Sequence, residues 1–221
     1  MNQGNFLLFR SSDPLRIKAV AERARAEFST VWIPHPNYVL AETPLTHLNG
    51  PTTPFVKSDV GSNVVIGEAN DFTALQLRRT PTPHGFTQLH HLPGDFTFAR
   101  VLEDGHAEVV RAVAGVVPVY VWRSGQETAF FTRLAYRQLV ATSELRLDPL
   151  TLACWGSMID VFPNSQTSVT DVKILEAGTA HFLDPSGTVW TRTYWKEPES
   201  FLQRSELPDV CQMFRTLFIV F

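Results

Sequence analysis

Apolar and polar positions change period along this chain, from a helical spacing near the start to strand-like runs afterwards. In SSDPLRIKAVAERARAEF, residues 11–28, Leu15, Ile17, Val20, Ala21, Ala24 and Phe28 read as one apolar face. Ser12 or Asp13 suits the N-cap and Pro14 the first helical position, so a helix is expected here. β-Branched and aromatic segments follow, separated by turn residues: TVWIP, NYVLAE, NVVIGE, DFTFARVL, AEVVRAVAG, VPVYVW, TAFFTR, AHFLD and TVWTRTYW. Hairpins are expected to turn at Glu103 to Gly105, at Ser124 and Gly125, and at the DPSG of Asp184 to Gly187. A second helix is expected over DPLTLACWGSMI, capped by Asp148 with Pro149 in its first turn. RRTPTPHG, residues 78–85, reads as a loop because two prolines bar a helix or a central strand. Hairpins with a few helices imply an α+β domain on antiparallel sheets, and neither a G-x-G-x-x-G nor a P-loop pattern argues for a parallel nucleotide-binding fold.

Composition narrows the function classes. A chain of 221 residues that is 44% hydrophobic can bury a sizeable core, and its net charge of −3 comes with no basic cluster. Nucleic acid and anionic membrane are therefore not expected as partners. The N-terminus offers only a short apolar patch before charge and proline, unlike a signal peptide, and the longest apolar run falls short of the ~20 residues that span a bilayer. A cytoplasmic location is the expectation. Cys154 and Cys211 lie far apart in apolar contexts and read as reduced thiols. His90 and His91, with Asp95 nearby, suggest a metal or proton-transfer site, but adjacent strand residues point to opposite faces; no metal site is expected.

The stretch RAVAGVVPVYVW places Arg111, Gly115, Pro118 and Tyr120 at a distinctive spacing. It resembles the R-D-x-x-G-x-x-P-L-Y-Y segment of the glutamine amidotransferase domain found at the N-terminus of asparagine synthetases, with Ala112 at the aspartate position. Three further segments, in order, resemble the same family: LPGDFTFARVLEDG, FFTRLAYRQLV, and VKILEAGTAHFLD with RTYW. The resemblance covers roughly Leu92 to Trp195. It implies a four-layer αββα sandwich of two antiparallel sheets, the N-terminal nucleophile hydrolase-like fold, with an amidotransferase-like domain over residues 1–200.

The resemblance also says where chemistry should be. In that family the nucleophile is a cysteine exposed by removal of the initiator methionine, whose own α-amine takes the thiol proton. Asn2 stands there in this chain. The family's N-G-E-I-Y-N motif is matched in outline by Gly67, Glu68 and Asn70, but Ile66 occupies the place of the asparagine that donates to the oxyanion, a loss worth about 3 kcal/mol of transition-state stabilisation. Asn2, Ile66, Gly67, Glu68 and Asn70 thus outline a vestigial pocket with no catalytic residue assigned. Loss of glutaminase activity is expected.

Residues 201–221 read as the start of an amphipathic helix, with Val210, Met213, Phe214, Leu217, Phe218 and Phe221 on an apolar face. By the resemblance this helix leads to a synthetase domain or subunit, which would bind ATP and Mg²⁺ through an S-G-G-x-D-S loop absent from these 221 residues. The expected role is therefore a non-catalytic glutaminase-like domain of an ATP-dependent amide-forming enzyme, with lasso peptide macrolactam cyclases and β-lactam synthetases as the members it resembles. A stand-alone binding or assembly module is the alternative.

Overall fold

The computed structural model describes residues 5–43, 56–58, 61–69, 94–113, 117–156 and 166–195, with backbone alone at 56–58, 61–69, 94–95 and 155–156. Two six-stranded antiparallel sheets face each other. The first runs β10(Val172–Ile174), β8(Tyr120–Ser124), β9(Glu127–Phe131), β1(Asn5–Arg10), β3(Tyr38–Thr43), β2(Thr30–His35). The second runs β12(Val189–Thr193), β11(Thr179–Leu183), β7(Ala107–Arg111), β6(Gly94–Val101), β5(Gly61–Ala69), β4(Val56–Ser58).

Strand β1 organises the first sheet. All six of its residues are buried, and it pairs with β3 on one side and β9 on the other. Leu7 and Phe9 join the cluster under the helices, whereas Phe6 and Leu8 join the cluster between the sheets, as the period of two requires. Tyr38 and Leu40 of β3, Ala99 and Val101 of β6, and Ala107 and Val109 of β7 complete that central layer. A third cluster of Phe96, Phe98, Val110, Ala112, Ala180 and Phe182 lies on the far face of the second sheet, where Trp190 stacks on Phe182 at 3.9 Å.

Helix α1 (Pro14–Ala24) starts as expected: Asp13 accepts from the Leu15 amide at 2.8 Å and Pro14 takes the first turn. Ile17, Val20, Ala21 and Ala24 are its buried residues. Leu15 is 77% exposed, contrary to its assignment to the apolar face, because two residues on a helix turn it about 200° away from Ile17. Phe28 is buried, but beyond the helix end, against the Tyr136 ring at 4.7 Å. A short helix α2 (Arg137–Val140) packs against α1, and α3 (Pro149–Gly156) is capped by Asp148, which accepts from the Leu150 amide at 3.1 Å and the Thr151 hydroxyl at 2.6 Å. No described helix is long and apolar enough to cross a membrane.

The three expected hairpins form, and the tips of all of them gather at the Arg10 end of β1. Arg10 is 2% exposed and donates to the Gln126 carbonyl in the β8–β9 turn and the Pro185 carbonyl in the β11–β12 turn, each at 2.9 Å. Gly187 closes that last turn at φ +93°, where a Cβ would come within 2.0 Å of the Arg10 guanidinium. Gly105 of the β6–β7 turn lies against the His35 ring and Pro185.

Candidate functional site

The opposite end of β1 is where the resemblance puts the chemistry. Asn5 begins the strand, and Thr132 sits beside it: the Thr132 hydroxyl accepts from the Phe6 amide at 3.1 Å and donates to Asn5 Oδ1 at 3.4 Å. The Thr132 amide returns a bond to the Phe6 carbonyl at 3.3 Å. Glu42, opposite Phe6 on β3, is 3% exposed. Strand β5, which carries Ile66, Gly67 and Glu68, comes into contact with β1 across the two sheets. Asn2 and Asn70 lie outside the described residues.

Register across the second sheet links two of the expected positions. Ile66 pairs with Thr97, Thr97 with Arg111, and Arg111 with Thr179, forming one row over β5, β6, β7 and β11. Two strand spacings separate Ile66 from Arg111, roughly 10 Å. Gly67 and Glu68 pair with Phe96 and Asp95. The Thr97 hydroxyl, fully buried in that row, has no hydrogen-bond partner among the described residues.

Arg111 acts as a strut. Its Nε donates to the Val117 carbonyl at 3.2 Å and its Nη1 to the Leu175 carbonyl, so one guanidinium ties the end of β7 to the segments entering β8 and β11. The Tyr194 hydroxyl donates to the Arg111 carbonyl at 2.6 Å, and the Gly178 amide to the Ala112 carbonyl at 3.1 Å. Ala112 is 2% exposed in the Phe96–Phe98 cluster, an apolar setting in which the family's aspartate would need a partner of its own. Pro118 lies between buried Val117 and Val119 in a segment outside any strand, so its missing N–H costs no ladder bond. Tyr120 opens β8 half-buried, 6.2 Å from the Phe131 ring, and burial pushes its hydroxyl pKa up. Gly115, His90 and His91 lie outside the described residues. Among the described residues, the strand expected from Ala107 to Gly115 runs only from Ala107 to Arg111.

No family model matches this chain, and no curated protein matches it. Its structure is similar to that of the allosteric regulatory enzyme of purine biosynthesis, with a TM-score of 0.55 and 10% identity over 88% of this chain and 49% of that one. It also matches glutamine phosphoribosylpyrophosphate amidotransferase from B. subtilis complexed with ADP and GMP, with a TM-score of 0.49 and 10% identity over 88% of this chain and 50% of that one. The fold is an N-terminal nucleophile hydrolase-like α+β sandwich. This chain spans about half the length of the solved structures it matches.

Sequence reasoning missed a second polar place in the same sandwich. A cleft of about 470 Å³ opens where β8 and β10 of the first sheet face β11 and β12 of the second. Its side chains come from four strands of two sheets and from the segments flanking β10, and they follow no motif spacing, so only the folded sandwich reveals that they meet.

Proposed function

We propose that this chain is a glutaminase-like domain without glutamine hydrolysis, serving an asparagine synthetase-like, ATP-dependent amide-forming enzyme as scaffold or substrate-recognition element. Macrolactam closure of a lasso peptide is the particular chemistry we favour. The supporting observation is the contact between β1 and β5 in a sandwich of this fold, combined with Asn2 and Ile66 at the positions that the resemblance gives to nucleophile and oxyanion donor. A carboxamide does not attack an amide under these conditions, and an isoleucine side chain has no proton to donate. In this reading ATP and Mg²⁺ belong to a C-terminal synthetase domain, and no residue here is assigned to either.

A leucine-rich surface supports a partner. Leu145, Leu147, Leu150 and Leu152 are 60%, 51%, 58% and 39% exposed within eight residues, and they make up four of the seven exposed large apolar residues described. Helix α3 contains no charged residue, and a helix of that composition is ordinarily covered on all sides. The same exposed leucines favour a second reading, a separate assembly module docking on a synthetase subunit. A reading frame encoding an S-G-G-x-D-S loop downstream of Phe221 supports the first, and a native stop codon the second.

Glutamate release from glutamine by the purified chain tests the loss of chemistry. No turnover is expected from the wild type or from Asn2→Cys processed to a free N-terminal cysteine. Turnover by the wild type would overturn the reading; turnover by the variant alone would locate the defect in the nucleophile and leave Ile66 harmless.

A further inference from the structure

The cleft between β8 and β11 lies on the opposite side of the second sheet from β5: β12 and β11 are its first two strands and β5 its fifth. Its floor is neutral and fully bonded. His181 Nδ1 is 3.0 Å from the Thr191 hydroxyl and Nε2 is 3.4 Å from the Thr179 hydroxyl. Thr179 spends its proton on the Glu176 carbonyl at 2.6 Å, so it accepts from Nε2–H, which leaves Nδ1 to accept from Thr191. Burial, and secondarily the charge of Arg123, hold the His181 pKa down to about 4, so the ring is uncharged near neutral pH.

The walls are charged and unspent. Lys173 is opposite Val121 in the β10–β8 register and therefore diagonal to Arg123, on the same face. Among the described residues neither cation is in an ion pair, and neither is Glu176 at the same mouth. Asp171, also at the rim, is already committed: Arg137 donates to it at 2.8 and 2.7 Å and Trp122 Nε1 at 2.9 Å, which lowers its pKa. Two free cations and one free carboxylate thus converge on a volume within the range of small-molecule sites. The complement of that pattern is a molecule with two negative groups and one positive group.

We propose that this cleft binds a small acidic α-amino acid, with its two carboxylates toward Arg123 and Lys173 and its ammonium group toward Glu176. The inference stands apart from the amidotransferase reading, since it uses neither β1 nor β5. Arg123, Lys173 and Glu176 are exposed, so charge reversal there is expected to leave the fold intact, as circular dichroism will check.

Isothermal titration of the full chain with L-aspartate and L-glutamate is the test, with His181 ring resonances as a local reporter. Saturable binding of at least one of them is expected, shifting the His181 signals, with succinate at least roughly tenfold weaker because it lacks the amine. Arg123→Glu and Lys173→Glu should each lose about tenfold or more, and Glu176→Gln should remove the preference over succinate. No heat and no shift at about 10 mM ligand would overturn the proposal. So would binding that survives both charge reversals, or succinate binding as tightly as L-aspartate.

Discussion

The two ends of β1 differ in what their polar atoms do. At the Arg10 end a buried guanidinium is fixed by carbonyls from two hairpin tips, and the third tip packs close by. At the Asn5 end one threonine hydroxyl serves both Phe6 and Asn5, and buried Glu42 stands opposite Phe6. The first end is closed by its own bonds, while the second keeps polar groups at the place the resemblance reserves for chemistry. A sandwich of this kind is thus held shut at one end, where substitutions should be felt chiefly as stability.

Gly187→Ala should have the largest effect. The new Cβ would sit at a positive φ and collide with a guanidinium that is 2% exposed and doubly bonded, so it has nowhere to swing. A loss of about 3 kcal/mol or more is expected from urea unfolding. Gly125→Ala is its control: φ is +57° but nothing lies within 4 Å, so about 1 kcal/mol should be lost. Equal losses at the two glycines would erase the distinction between a clamped tip and a free one.

Acid should weaken the protein through His181. Its folded pKa of about 4 lies below the ordinary 6.5, so between those values the unfolded chain binds the proton and the folded chain does not. Stability therefore falls as pH drops from about 6.5 to about 4, by roughly 3 kcal/mol for this group. His181→Asn should flatten the stability profile in that window; an unchanged profile would mean that the ring titrates in the folded protein as it does in the unfolded chain.

A more modest effect is expected at the open end of β1. Thr132→Val removes the acceptor for the buried Phe6 amide and should cost about 1–2 kcal/mol by thermal unfolding, less than Gly187→Ala. A larger loss there would show that the Asn5 end is as tightly braced as the other.

Much of this architecture was legible where period or turn chemistry is strict. Ile17, Val20, Ala21 and Ala24 follow helical spacing, and Asp104-Gly105, Ser124-Gly125 and Pro185-Ser186-Gly187 mark the hairpin tips. Strand β1 was not legible, because Phe6 to Phe9 are buried on both faces and a strand of that kind shows no alternation. Arg111, Pro118 and Tyr120 could be singled out by spacing, yet the role of Arg111 as a strut depends on Val117 and on Leu175, 64 residues away. The cleft was hidden for the same reason: Arg123 and Lys173 on one sheet and His181 and Thr191 on the other meet only because strand pairing and sheet packing bring them together.

Arg10 also bears on the order of assembly. Its carbonyl partners lie 116 and 175 residues along the chain, so neither bond can form until the β8–β9 and β11–β12 tips have been delivered to the end of the first strand. Contacts of such long range close late, after the loop entropy between them has been overcome. Weakening this clamp should accordingly speed unfolding and leave the refolding rate nearly unchanged, which makes Arg10 a latch on the lifetime of the native state more than a guide to reaching it.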